Sequence, residues 1–304
     1  MLNKSPILIK TKHAEIYISI IFFIIILSII FFINKPKSSQ IFSWGIEEVQ
    51  ANLVWKNNTA KNIRMAILDS GVEELHPDLK SNIKGGYNVI NENNEYGDIY
   101  GHGTEIAGII CAENNNIGIV GVTPDINLYA VKVLNEYGVG TIDTLVKGIN
   151  WAIENDMDII NMSLYFSVDD PSLYDAIKRA HAANIILISA AGQGEMINYP
   201  AAYEEVISVG CIDSELNILG NYNTKVDYVA PGKDVITTKI NSLYGESSGT
   251  SIATAFVSAT VALLISNENS YDLNYIKTKL KNTSKQLHTN DDLFYLINTY
   301  AAVN

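Results

Sequence analysis

Cysteine is scarce in this chain: 304 residues include only Cys111 and Cys211. Neither belongs to a C-x-x-C or similar spacing, which excludes the usual cysteine-based metal sites. Both sit inside apolar segments, so two buried free thiols are expected, with a disulfide between them as the alternative. Basic residues are also few. Lys and Arg number 21 against 33 Asp and Glu, a formal net charge of -12, and the pI is about 4.8. Such a surface repels phosphate backbones, so nucleic acid is not an expected partner. Beyond Gln40 there is no repeat, low-complexity tract or long linker, and residues 41–304 read as one domain, expected to be a monomer. At 47% hydrophobic and 18% charged, the composition suits a globular protein with one large core.

One stretch lacks charge, Gly and Pro altogether: IYISIIFFIIILSIIFFI, residues 16–33. At about 1.5 Å per helical residue it nearly spans the ~30 Å hydrocarbon core of a bilayer. It is longer than the roughly 7–15 apolar residues of a signal peptide, and no small-x-small cleavage site follows. The expectation is an uncleaved transmembrane anchor, preceded by a cytoplasmic segment (1–15) and followed by a short linker (34–40). The alternative is a signal that is cleaved from a secreted protein. Lys4, Lys10 and Lys12 precede the run and Lys35 and Lys37 follow it. That slight bias points the amino terminus to the cytoplasm and the rest outward.

Apolar runs then alternate with helical patterns. Strands are expected at 63–68, 126–134, 158–164, 185–189, 206–212 and 235–240. Helices are expected at 106–112, 144–154, 173–183, 252–266 and 275–281. Continuous apolar strands alternating with helices predict an α/β fold, a mainly parallel sheet covered on both faces. Chemistry in such sheets collects at the carboxyl ends of the strands.

Three such places present a reactive residue. The first strand ends in Asp69, a costly residue to bury without a charged or hydrogen-bonded partner; the plain alternative is a turn or cap. His102 stands between two glycines in Gly101-His102-Gly103-Thr104, just before a helix; otherwise it is a loop histidine. Ser251 lies in Ser248-Gly249-Thr250-Ser251 at the start of a long helix, whose amino terminus stabilises developing negative charge; otherwise it is a common N-cap.

Taken together, in the order Asp, His, Ser, these motifs resemble the subtilisin family of serine proteases. The resemblance runs from about Gln40 to the carboxyl end through DSGVEELHPDL, HGTEIAG, NNNIGIVGV, LYAVKVL, NMSL, YPAAY and VAPG. It implies a three-layer subtilisin-like fold and hydrolysis of polypeptides through an acyl-enzyme. Ser251 would be the nucleophile, His102 the general base and acid, and Asp69 the group that orients His102. Where the family presents an asparagine amide to the oxyanion, this chain has Gln193, in AAGQ. Substrate would lie as an added strand between Gly138-Val139-Gly140 and Ser163-Leu164-Tyr165. The family reads SLGG where Tyr165 and Phe166 bring bulk, which implies a narrowed cleft and restricted specificity. Ala255 stands where the family has proline. Alternatives are a protease that removes the leader of a secreted peptide, and a non-catalytic protein that grips peptides.

The resemblance also implies a structural calcium ion. Side chains of Gln40, Asp78 and Asn115 and carbonyls of Glu113, Ile117 and Ile119 match the family's ligands, an oxygen set that suits a hard cation. A plain Asn-rich turn is the alternative. Only a few residues separate the expected anchor from the catalytic domain, so folding without an amino-terminal propeptide, or with one supplied in trans, is expected.

Overall fold

The computed structural model describes residues 17, 20–25, 40–56, 59–220, 226–268, 270–289 and 292–304. It falls into two units, Met1–Ser39 and Gln40–Asn304. In the first, residues 17 and 20–25 are helical and their apolar side chains are exposed. The anchor expected over 16–33 lies largely outside the described residues. Among those residues no helix is long and apolar enough to cross a membrane.

The second unit is built on a twelve-segment set of strands. In chain order they are β1 (Arg64–Asp69), β2 (Ile83–Asn88), β3 (Asn127–Lys132), β4 (Ile159–Met162), β5 (Ile186–Ala190) and β6 (Val206–Ile212). There follow β7 (Ile218–Leu219), β8 (Tyr228–Pro231), β9 (Val235–Lys239), β10 (Leu243–Ser247), β11 (Lys285–His288) and β12 (Leu293–Leu296). Helices are α1 (Trp44–Glu48), α2 (His102–Cys111), α3 (Ile142–Glu154), α4 (Pro171–Ala182), α5 (Thr250–Ile265), α6 (Leu273–Thr283) and α7 (Thr299–Val303).

Ten strands form one sheet in the order β11-β12-β8-β6-β5-β4-β1-β3-β2, with β7 also paired to β6. From β2 across to β12 every pairing is parallel; β11 on β12 and β7 on β6 are antiparallel. The alternation of a strand decides the layers. Along β1, Met65 and Ile67 join an apolar cluster with α2 and α5, while Ala66 and Leu68 join a second cluster with α3 and α4. Both faces are therefore covered, as the continuous apolar strands predict.

Helix starts follow the capping chemistry of the sequence. Thr141 and Thr144 form a reciprocal capping box at α3, and Asp170 caps α4 just ahead of Pro171. Helix α5 is apolar all round, and nearly all of its residues are buried; such a helix belongs inside a protein. It packs on β4, β5, β6 and β8 and against α2 and α7. The strand expected at 235–240 is a correction of place: β9 pairs antiparallel with β10 in a separate two-stranded sheet. Both cysteines are buried free thiols.

Candidate active site

Asp69 ends β1 and is fully buried. Its carboxylate accepts from Ser70 N at 2.7 Å. The Nδ1 of His102 lies 2.8 Å from one carboxylate oxygen and 2.9 Å from the other. His102 is the first residue of α2, so the helix runs four residues ahead of the apolar pattern that announces it. The glycine after it has a steric reason. A Cβ at Gly103 would meet the Gly71 carbonyl oxygen at 2.0 Å, so only glycine lets α2 approach the end of β1 this closely. Burial lowers the pKa of His102, but the charge and hydrogen bond of Asp69, then the charges of Glu105 and Asp98, outweigh it. The net result is a rise from 6.5 to about 9.

Asp98 and Lys132 back this pair, and neither is singled out by the sequence reading. Asp98 Oδ1 accepts from Ser70 Oγ at 2.9 Å and Gly101 N at 2.8 Å. Its Oδ2 accepts from Thr104 N at 2.9 Å and Thr104 Oγ1 at 2.7 Å. Ser70 Oγ in turn accepts from Gly103 N at 3.0 Å. Lys132, buried at the end of β3 opposite Asp69, donates to the Ser70 carbonyl. Burial lowers its pKa against the opposing pull of Asp98, Glu136 and Asp69. The signal for Asp98 is its place four residues before His102. For Lys132 it is a charge at the end of an otherwise apolar strand.

Ser251 lies in the first turn of α5, and its N–H donates to no group among the described residues. Two reciprocal hydrogen bonds tie it to the residue after β4. Ser251 Oγ donates to Ser163 O at 2.8 Å, and Ser163 Oγ donates to Ser251 O at 3.0 Å. Behind them Asn161 Nδ2 donates to Ser163 Oγ at 3.0 Å, and Ser258 Oγ donates to Asn161 Oδ1 at 2.9 Å. The Ser251 hydroxyl is thus turned to Ser163 rather than to His102.

One cleft of about 480 Å³ is lined by His102 and Ser251 together with Gly138, Val139, Gly140, Ser163, Leu164 and Tyr165. The structure therefore gathers every residue expected to hold substrate. It adds Tyr100, Leu134 and Phe166. Gln193 is not among the lining residues. It is exposed, and its Nε2 donates weakly to Cys211 Sγ at 3.9 Å.

A second cluster gathers the residues expected at a cation. Gln40 Nε2 lies 2.5 Å from Glu113 O, 2.7 Å from Ile119 O and 3.4 Å from Asn115 Oδ1. Asp78, fully buried, accepts from Asn115 Nδ2 and from Ile119 N, each at 2.9 Å. Ile117 is bound through its N–H, which donates to Asn115 Oδ1 at 3.0 Å. Three oxygens thus converge on one amide nitrogen that has two hydrogens to give. Turning the Gln40 amide over would leave four oxygens converging, an arrangement that suits a hard cation. The set holds a single carboxylate; among the described residues no cluster of three or more His, Cys, Asp or Glu side chains could hold a metal. His76 is buried beside this cluster, with Nδ1 accepting from Asp78 N at 3.2 Å.

The family model "Subtilase family" matches residues 60–296. The intracellular serine protease of Paenibacillus polymyxa is 41% identical over 233 residues, 72% of this chain and 72% of its own length. Subtilisin E of Bacillus subtilis (strain 168) is 35% identical over 277 residues, 87% of this chain and 72% of its own length. The minor extracellular protease Epr of the same organism is 41% identical over 238 residues, 76% of this chain but 36% of its own length. The chain thus spans about a third of that longer relative, and the relatives' names include both intracellular and extracellular proteases.

Proposed function

The chain belongs to the subtilase family and is a serine-type endopeptidase by that membership; on that premise we propose that Asp69, His102 and Ser251 carry the reaction, with restricted specificity. The observation that carries this reading is the His102 Nδ1 contact with Asp69, 2.8 Å, facing the same cleft as Ser251. In the resting state Ser251 Oγ is bonded to Ser163 O. Catalysis needs it to rotate toward the outer nitrogen of His102, and apo contacts of this kind commonly tighten only with substrate. His102 Nε2 takes the hydroxyl proton as Oγ attacks the scissile carbonyl. It then gives that proton to the leaving amine, which departs as the acyl-enzyme forms. Water, deprotonated by the same nitrogen, releases the acid and restores Ser251. Asp69 holds the Nδ1 proton and stabilises the imidazolium. The free Ser251 N–H at the start of α5 is one oxyanion donor.

Gln193 supplies the second donor in this reading. Its contact with Cys211 Sγ is weak, so an oxyanion, a far better acceptor, draws the amide away at small cost. Restricted specificity is supported by Tyr165 and Phe166, which line the cleft. A calcium ion held by Gln40, Asp78, Glu113, Asn115, Ile117 and Ile119 is supported by the convergence of oxygens around the Gln40 amide. Bound there, it would supply positive charge that fixes the 113–119 loop. Attachment to a membrane, with the catalytic unit outside, is supported by the uncharged run 16–33. The test of the central claim is labelling by a fluorophosphonate: wild type reacts and Ser251→Ala does not. Labelling that persists in the variant, or fails in wild type, refutes the assignment.

A further inference from the structure

Glu105 is not among the residues that line the cleft, yet it stands three residues after His102 in the first turn of α2. Its side chain is largely enclosed, 17% exposed, and both carboxylate oxygens are bonded to one hairpin. Oε1 accepts from Lys239 Nζ at 2.6 Å, and Oε2 accepts from Ser247 Oγ. Lys239 ends β9 and Ser247 ends β10. The backbone of the same helical turn is held too. Thr237 Oγ1 donates to Glu105 O at 2.6 Å, and Thr238 Oγ1 donates to Thr104 O at 2.7 Å. Gly108 permits this approach: a Cβ there would meet Thr238 Oγ1 at 2.3 Å and Thr237 Oγ1 at 2.5 Å.

The two sides of this clamp lead to the two reacting groups. One side is the start of α2, where His102 sits. The other is Ser247, four residues ahead of Ser251. The chain between Ser247 and Ser251 is tied down in turn. Asp234 N donates to Ser248 Oγ at 2.8 Å, and Gly249 N donates to Gly232 O at 2.7 Å. Thr250 then opens α5. Hydrogen bonds to an ionised carboxylate are shorter and about twice as strong as neutral ones. Glu105 is therefore the stiffest link between the helix that carries His102 and the segment that delivers Ser251.

We propose that Glu105 is a positioning residue for catalysis: by fastening the first turn of α2 to the β9–β10 hairpin, it sets the separation of His102 and Ser251. A misplacement of about 1 Å between reacting groups can cost on the order of a hundredfold in rate. Because Glu105 does not line the cleft, its effect falls on kcat rather than on KM. Its charge also reaches His102. The charged groups acting on the imidazole are Asp69 at the end of β1, Asp98 in the loop before α2, and Glu105 itself. Lys132 on β3 lies opposite Asp69, and Lys239 on β9 is paired with Glu105. Removing the carboxylate and removing its lysine therefore push the imidazole in opposite directions. This inference rests on the peptidase reading above and deepens it.

The test uses the full chain and one peptide, with active sites counted by fluorophosphonate labelling so that unfolded protein is left out. Glu105→Ala should lower kcat per labelled site at least about tenfold, with KM changed less than about twofold. Glu105→Gln, which keeps the shape and can still accept from Ser247, should recover most of that loss. In the pH profile of kcat/KM, Glu105→Gln should level off about half a pH unit below wild type and Lys239→Met about half a pH unit above it. Both displacements are smaller than the roughly one to three units that an opposite charge in direct contact produces. Should Glu105→Ala not fold, the opposed displacements of the other two variants decide alone. An unchanged kcat in Glu105→Ala, or profiles of Glu105→Gln and Lys239→Met that stay with wild type or move the same way, overturns the inference, while labelling of wild type leaves the peptidase reading standing. Absence of labelling in wild type overturns both.

Discussion

Raising the pH from about 6 to about 10 should move activity and stability in opposite directions. The cause is the His102–Asp69 pair. Burial lowers the His102 pKa, but Asp69, by charge and hydrogen bond, with Glu105 and Asp98 behind it, raises it to about 9. The general base must be neutral, so kcat/KM should climb about tenfold per pH unit below that value and level off above it. Stability follows the opposite sign. The folded pKa lies above the unfolded 6.5, so the imidazolium stabilises the fold. That contribution is fully present below about 6.5 and is lost as pH rises through about 9. Each pH unit of separation is worth about 1.4 kcal/mol, so the full contribution is on the order of 3 kcal/mol. His102 keeps 24% of its side chain exposed, so water screens the pair only partly. The assay is kcat/KM on one peptide across the pH range, beside denaturant midpoints of Ser251→Ala, which does not digest itself. His102→Ala in that background should remove most of the pH dependence of the midpoint between about pH 6.5 and 8.5; above that the thiols of Cys111 and Cys211, raised by burial, add a loss of their own. A kcat/KM profile that levels off near pH 6.5 would refute the reasoning, because it would mean that Asp69 does not hold the proton on His102.

The remaining predictions concern the neighbouring sites. A ligand that binds only the folded state stabilises it by about 2.7 kcal/mol at a hundredfold excess over Kd; Tm should rise accordingly with calcium, and Asp78→Ala should remove most of the rise. An unchanged wild-type Tm would leave the 113–119 loop a plain turn. Gln193→Ala should lower kcat with little effect on KM. The loss should be smaller than the roughly 2.7–4 kcal/mol known in this family for removing the asparagine donor, since a donor drawn from Cys211 is less preorganised. Equal kcat in both proteins would remove Gln193 from the oxyanion site. Protease added to intact cells should reach the catalytic unit; complete protection of that unit would contradict the outward topology.

The parts of the fold that follow from apolar periodicity were legible. β1, β3, β4, β5 and β6 and helices α3 to α6 fall within a few residues of their expected positions. β2 escaped because its sequence, IKGGYN, carries two glycines and is only partly buried, so it has no continuous apolar run. β11 escaped because it lies at the sheet edge and is mostly exposed, and β12 because it is only four residues long and buries only alternate side chains. β9 looked like a central strand, yet its pairing with β10 depends on partners that periodicity does not name. At the site, Asp69, His102 and Ser251 were legible because each sits where a strand ends or a helix begins. Asp98 was not, because its donors, Ser70, Gly101 and Thr104, come together only in the fold, and an isolated aspartate in a sequence does not say who they are. The partner of Gln193 was hidden for the same reason: Cys211 lies 18 residues away, on β6, while Gln193 is in the loop after β5.

The contact between His102 and Asp69 closes a chain loop with a sequence separation of 33, and Ser251 reaches Ser163 across a separation of 88. α5 must be seated on β4, β5, β6 and β8 before its first turn faces His102. A copy in which α5 is not seated therefore has no working nucleophile. The same copy is an extended chain, the form a peptidase takes as substrate. In any mixture of folded and unfolded molecules, those that have finished will cut those that have not. Loss on heating should then accelerate with protein concentration, as a reaction between two molecules does, while Ser251→Ala should decay at a rate set by its own unfolding alone.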